Sequence, residues 1–143
     1  MTLNKKLLKT LVTVVEDDEA LSKTIDQYLS SLGFQVNCFE SAEAFEDVVK
    51  GAEEFQLTSK CQRRPGIVLL DIRLKEMSGT SLFYRLKNKY PHFYWPICFI
   101  TGHGDIAMAV ETVRNGAFDF LAKPFEPEKL LDVIKQASKS STK

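Results

Sequence analysis

Glycine-rich loops, paired cysteines, long apolar runs and an excess of one charge are all missing from this 143-residue chain. Its three cysteines, Cys38, Cys61 and Cys98, are widely spaced and odd in number. That excludes a C-x-x-C zinc site and a disulfide framework. Cys38 and Cys98 fall in apolar strand patterns, so both are expected to be buried small hydrophobes. No run approaches the roughly 18 apolar residues of a membrane span. The lysines before Thr10 are not followed by the apolar segment of a secretory signal. A cytoplasmic location without membrane contact is therefore expected. Nineteen Lys and Arg balance nineteen Asp and Glu, which leaves no electrostatic case for nucleic acid as a partner of this domain itself. A phosphate-cradling G-x-x-x-x-G-K loop and a nucleophilic serine elbow are also lacking.

What the chain does contain is a set of apolar runs that each end at a polar side chain. Leu11-Val12-Thr13-Val14-Val15 runs into Glu16-Asp17-Asp18. Ile67-Val68-Leu69-Leu70 ends at Asp71, Ile97-Cys98-Phe99-Ile100 at Thr101, and a shorter run at Lys123-Pro124. Continuous apolar segments of this length are the mark of parallel strands buried on both faces. The carboxyl ends of such strands lie along one edge of the sheet, where ligands bind. Three carboxylates, a hydroxyl and an ammonium thus converge on a site suited to a divalent cation and a phosphoryl group.

Helical patterns separate these strands. Asp18 caps a helix with Leu21, Ile25, Tyr28, Leu29 and Leu32 on one stripe, stopped by Gly33. Phe34, Val36 and Cys38 alternate with polar residues as in an edge strand. Ser41 caps a second helix whose apolar face is Ala44, Phe45, Val48 and Val49. From Gly51 to Pro65 the pattern dissolves into a long surface connection with room for one extra helical turn. Ser78-Gly79 leads into a helix with Leu82, Phe83 and Leu86. Asp105 caps a helix with Ala107, Met108, Val110 and Val113 that ends at Asn115-Gly116. Phe118 to Ala122 forms the fifth strand, and Leu130, Leu131, Val133 and Ile134 line the last helix after Pro127. Five βα units with right-handed crossovers make a doubly wound α/β fold, (βα)5, with a five-stranded parallel sheet. Residues 1–10 are an extension, 11–138 the domain, and 139–143 a polar tail or the start of a linker.

The segments Val14-Val15-Glu16-Asp17-Asp18, Leu69-Leu70-Asp71-Ile72-Arg73-Leu74, Met77-Ser78-Gly79, Phe99-Ile100-Thr101-Gly102 and Gly116-Ala117-Phe118-Asp119-Phe120-Leu121-Ala122-Lys123-Pro124-Phe125 follow in order. Together they resemble the receiver domain of bacterial two-component response regulators. Ile100-Thr101-Gly102-His103-Gly104-Asp105 is similar to the FixJ-like subgroup. The resemblance implies a flavodoxin-like, CheY-like sheet of order 2-1-3-4-5 and a cis Lys123-Pro124 peptide. The chain departs from the family in having Lys75 where proline is common, and in a longer stretch before the third strand.

The resemblance also implies roles for individual residues. Asp71 is the phosphorylation site, attacking phosphohistidine phosphorus to become an aspartyl phosphate. A carboxylate approaching a phosphoryl group meets like charge, so Glu16, Asp17 and Asp71, with the backbone carbonyl of Arg73, would hold Mg²⁺. Lys123 pairs with the phosphoryl group, Thr101 donates its hydroxyl to it, and Phe120 follows Thr101 inward as a switch. Arg73 and His103 flank the path of hydrolytic water and tune the lifetime of the phosphorylated state. The implied partners are a sensor histidine kinase or phosphotransfer protein, docking on the first helix (Ala20, Thr24) and the Pro124-Phe125 loop. A second copy of the chain would pair through the fourth helix, fifth strand and fifth helix (Val110, Val113, Arg114, Phe120) once phosphorylated. The output is that of a transcriptional regulator fragment, a stand-alone receiver or a phosphorelay intermediate.

Two other readings compete. A Mg²⁺-dependent phosphohydrolase can use an Asp nucleophile, but the haloacid-dehalogenase type needs a second acid two residues later, where this chain has Arg73. A degenerate receiver that binds partners without phosphate is disfavoured by the intact Asp71, Thr101 and Lys123. Imidazole changes charge near neutral pH, so His103→Ala is expected to alter the pH profile of aspartyl-phosphate hydrolysis. An unchanged profile removes His103 from the site.

Overall fold

The six residues Gly66–Asp71 form a strand with no exposed member, and the sheet is built outward from it. The structure, a computed structural model, describes residues 3–58 and 64–140; of residues 54–58, 103 and 140 only the backbone is described. The elements in chain order are α1 (Lys5–Leu8), β1 (Leu11–Val15), α2 (Glu19–Ser31), β2 (Val36–Phe39), α3 (Ala42–Thr58), β3 (Gly66–Asp71), α4 (Gly79–Lys89), β4 (Ile97–Thr101), a 3-10 turn (His103–Asp105), α5 (Ile106–Arg114), β5 (Asp119–Ala122) and α6 (Pro127–Ser140). All five strands are parallel, in the order β2-β1-β3-β4-β5 that the resemblance implies. Because α1 precedes β1, the helices anticipated as fourth and fifth are α5 and α6.

Strand alternation divides the core into two layers. Val12, Val14, Ile67, Leu69, Cys98 and Ile100 face α2 and α6, meeting Ile25, Leu29, Leu130 and Ile134. Val15, Val68, Leu70 and Phe99 face α3, α4 and α5, meeting Phe45, Val49, Leu82, Phe83, Leu86 and Ala109. Cys98 is buried, and burial pushes its thiol up, which keeps it unreactive. Asp18 accepts from the amides of Ala20 and Leu21, and Ser41 from that of Ala44, so both caps stand where the sequence puts them. Gly33 ends α2 at φ 103°, a conformation in which glycine carries no Cβ penalty.

The structure corrects several local expectations. α3 does not end near Gly51 but runs to Thr58; of the anticipated connection, residues 59–63, with Cys61, lie outside the described residues. The inward face of α3 is Ala42, Phe45, Glu46 and Val49, which leaves Ala44 and Val48 exposed. Cys38 is exposed: at this edge of the sheet it opens on a groove whose lining includes Glu16, Asp17 and, from α2, the polar Glu19 and Ser22. In α5, Ala109 and Thr112 turn inward and Ala107 and Met108 outward. The 3-10 turn ahead of this helix sets a phase that apolar spacing alone did not reveal. Asp105 makes no side-chain cap bond.

Glu46 is the polar member of the α3–α4 contact. Its carboxylate accepts from Arg85 Nε and Nη2 at 2.9 and 2.8 Å, and from the Tyr90 hydroxyl at 2.6 Å. The Arg85 guanidinium holds the Glu46 carboxyl below its ordinary 4.5, against the opposing effect of burial, and Tyr90 adds to the lowering. A carboxyl depressed in the folded state stabilises fully above its unfolded value and loses that contribution as pH falls through the folded value. Glu46→Gln is therefore expected to lower Tm by a few degrees, about 2–8 °C, at neutral pH. The gap from wild type should narrow as pH is brought below 4.5, which thermal melts across the acid range will check.

Candidate functional site

Register delivers the reactive side chains to one edge. Val15 pairs with Leu70, so Glu16 and Asp71 leave the ends of adjacent strands side by side. Asp71 pairs with Ile100, and Thr101 with Ala122, which brings Thr101 and Lys123 to the same rim. One oxygen from each of Glu16, Asp17 and Asp71 lies within 4.8 Å of the others. Glu16 is 2% exposed and Asp71 5%, while Asp17 is half-buried. His92 and Trp95 stand at the opposite end, before β4; the Trp95 indole fills the space beside Gly66 and donates to the Arg64 carbonyl.

Lys123 Nζ reaches Glu16 Oε1 at 3.2 Å and Asp71 Oδ2 at 3.3 Å. Its approach to Glu16 Oε1 is an ion pair without hydrogen-bond alignment, so that buried oxygen has no hydrogen-bond partner among the described residues. Burial first, then the neighbouring Asp71, pushes the Glu16 carboxyl up to about 8. Burial opposes the charge on Lys123, yet Asp71 and Glu16 hold its ammonium above the ordinary range. Among the described residues Glu16 and Asp71 thus share the Lys123 ammonium, Asp17 stands beside them, and one Glu16 oxygen is left without a hydrogen. An all-oxygen, charge-rich donor set of this kind fits a hard divalent cation.

The loop after β3 is fastened to these acids by its backbone. The Arg73 amide donates to Asp71 Oδ1 at 3.2 Å and the Lys75 amide to Asp17 Oδ2 at 3.1 Å. Glu43, at the start of α3, takes the Met77 amide at 3.3 Å. The Arg73 side chain does not lie loose beside the site: Nε and Nη2 grip Asp105 at 2.7 and 2.9 Å. The sequence missed Glu43, Asp105 and the Lys75 amide. A backbone donor leaves no trace in residue type, and Asp105 before a helix reads as a cap until its partner is seen.

The Thr101 hydroxyl donates to the Gly102 carbonyl at 3.1 Å. Phe120 is half-buried against the α3–α4–α5 layer. The Lys123–Pro124 peptide is cis. The His103 side chain lies outside the described residues, so its anticipated part in tuning is not placed.

A doubly wound parallel sheet with acids on two central strands, and a hydroxyl and an ammonium on the next two, defines a phosphoryl-accepting signalling domain. Residues 12–135 match the response regulator receiver domain, and the chain belongs to that family. It is 37% identical over 131 residues to the response regulator protein TmoT of Ectopseudomonas mendocina, covering 92% of this chain and 54% of TmoT. It is 36% identical over 126 residues to the transcriptional regulatory protein FixJ of Bradyrhizobium diazoefficiens, covering 88% of this chain and 55% of that protein. The crystal structure of full-length FixJ from B. japonicum superposes with a TM-score of 0.76 at 34% identity, over 94% of this chain and 60% of that one. The chain spans about half the length of the curated relatives it matches. The phosphohydrolase alternative gains no support, since Arg73 occupies the position of its second acid and is engaged with Asp105.

Gly79 sets how closely α4 approaches Asp71. A Cβ there would stand 2.0 Å from the Asp71 carbonyl oxygen, which is backbone and cannot swing aside. Gly79→Ala is expected to displace the loop that carries the Arg73 and Lys75 amides. Tm should fall by several degrees and the rate of modification by acetyl phosphate at least tenfold. Wild-type values for both would show that the loop yields without cost.

Proposed function

We propose that this domain takes a phosphoryl group from the phosphohistidine of a sensor kinase or phosphotransfer protein onto Asp71. The observation that carries the reading is the buried Glu16–Asp71 pair beside Lys123, with one carboxylate oxygen short of a hydrogen. Asp71 is the nucleophile. One of its oxygens bonds to phosphorus as the phosphorus–nitrogen bond breaks, and the electron pair leaves with the imidazole, which is then protonated. Glu16, Asp17 and Asp71, with the Arg73 carbonyl, are the residues to hold Mg²⁺. A cation there supplies the positive charge that a carboxylate needs to meet a phosphoryl group. Lys123 neutralises the opposite side of the transferred group. The Arg73 amide, already on Asp71 Oδ1, fixes the rotamer of the nucleophile. Water returns the aspartyl phosphate to carboxylate, with Arg73 and His103 setting the rate.

Thr101 and Phe120 form the switch. Once phosphate is present the Thr101 hydroxyl leaves the Gly102 carbonyl for a phosphoryl oxygen, and Phe120 moves into the space released. The surface that changes is α5-β5-α6. It is the face through which two phosphorylated copies would pair and through which an output would be controlled, in the cytoplasm and in transcription for a chain of the FixJ kind. An apolar groove of about 520 Å³ runs beside Lys123, lined by Leu21, Thr24, Tyr28, Pro124 and Phe125 among others. It supports docking of the phosphodonor protein against α2 and the loop before α6. Among the described residues no helix is long and apolar enough to cross a membrane.

Acetyl phosphate with Mg²⁺ is expected to add the mass of one phosphoryl group to the wild type, and Asp71→Asn to lose that adduct. Removal of the metal with a chelator should abolish the modification as well. Wild-type protein that stays unmodified with metal and a competent phosphodonor overturns the reading.

A further inference from the structure

Asp105 has a task that its place before a helix does not suggest. Its side chain is 5% exposed, whereas the Arg73 side chain that grips it is 77% exposed. Both carboxylate oxygens are occupied, by Nε at 2.7 Å and Nη2 at 2.9 Å, in a bidentate fork. The pair ties the loop that follows Asp71 to the turn that follows Thr101. Nothing in helix capping accounts for it, since Asp105 makes no cap bond to α5.

The charge balance of the neighbouring site gives the pair a meaning. Among the described residues the ammonium paired with this cluster is that of Lys123, which reaches Glu16 and Asp71. Arg73 stands two residues from Asp71, with its amide on Asp71 Oδ1. Its guanidinium makes its side-chain bonds to Asp105 and to none of the three acids. A guanidinium on a flexible stem this near a trio of carboxylates would be drawn to them, because the fork geometry matches a carboxylate well. Once there it would occupy oxygens that a cation needs and add positive charge against a dication.

We propose that Asp105 is a positioning residue that holds the Arg73 guanidinium out of the Glu16–Asp17–Asp71 cluster and so keeps the cluster open to a divalent cation. The inference rests on the reading of that cluster as a Mg²⁺ site. One unit charge released to several ångströms from a dication changes its affinity on the order of tenfold even at a water-like dielectric.

Calorimetric titration of Mg²⁺ into unphosphorylated protein tests this with a double-mutant cycle. Asp105→Asn is expected to weaken Mg²⁺ binding about tenfold, because it keeps the shape but frees the guanidinium. Arg73→Ala is expected to bind Mg²⁺ more tightly than wild type, since the Asp105 charge is then unmasked. The double variant should recover from the loss seen in Asp105→Asn, and Asp105→Glu, which keeps the carboxylate, should stay near wild type. A merely structural role for Asp105 would leave the double variant as weak as Asp105→Asn, and that result overturns the proposal. So does wild-type affinity in Asp105→Asn. Should Asp105→Asn fail to fold, Arg73→Ala decides alone: weaker Mg²⁺ binding than wild type overturns the proposal. Wild-type protein that binds no Mg²⁺ defeats the cation reading and this inference together, whereas wild-type binding with an unresponsive Asp105→Asn defeats the inference only.

Discussion

Like charge held at close quarters is the constraint on which this structure turns. Glu16 and Asp71 are almost fully enclosed, and burial together with the nearby Asp71 disfavours ionisation of Glu16. One ammonium, that of Lys123, stands between them. A buried charge left unpaired costs about 3–5 kcal/mol, so such a site persists only where the scaffold over-determines it. β1 and β3 do this. They are neighbours in register, both buried on two faces, and their ends cannot separate without opening the layers of α2 and α6 on one side and α3, α4 and α5 on the other. The apolar core is thus the device that forces carboxylates together against their repulsion. Positive charge would relieve that electrostatic cost, which fits the cation and phosphoryl site proposed for this cluster.

The rim divides into a fixed part and a loose part. The β3–α4 loop is pinned at Arg73, Lys75 and Met77 by carboxylates of Asp71, Asp17 and Glu43, and closed by the Gly79 amide on the Ile72 carbonyl at 2.9 Å. Thr101, by contrast, spends its hydroxyl on the carbonyl of the next residue, a bond with little to lose. Phe120 is half-buried at the surface of the core instead of locked within it. A two-state element needs alternatives that differ by only a few kcal/mol. The weakly held hydroxyl and the partly packed ring are compatible with the switch proposed for Thr101 and Phe120, while the pinned loop would keep the proposed nucleophile Asp71 aligned in either state.

Strand positions and the site edge were legible in the sequence because both follow from continuous apolar runs. A strand enclosed on two faces carries little that is polar before its end, Thr13 within β1 being an exception, so Asp71, Thr101 and the Glu16 cluster announced themselves. The helices were readable where their caps and stripes coincide, as in α2 with Asp18 and Leu29. They were less so where the helix is mostly exposed. In α3 and α5 apolar spacing put Val48 and Met108 inward, and the structure turns Glu46 and Thr112 there instead. Both polar residues are satisfied locally, Glu46 by Arg85 and Tyr90, and Thr112 by the Ala109 carbonyl. That satisfaction is a pairwise property that no single-residue scale contains. Asp105 was misread for the same reason: its partner lies 32 residues away.

The unusual length between β2 and β3 has a geometric resolution. Helices in this fold run antiparallel to the strands, so a helix lengthened at its carboxyl end grows towards the amino-terminal edge of the sheet. α3 carries much of the additional chain in this way, and at Glu53 its carboxylate meets the amide of His92 at 3.1 Å, just ahead of β4. Its first turn, where Glu43 braces the β3–α4 loop, keeps its place beside the site. Extra sequence is therefore accommodated at the edge remote from Asp71. The phosphoryl chemistry and the shape of the distal edge become independent variables. A receiver of this design can acquire a new surface around Glu53, His92 and Trp95 without moving any of the acids.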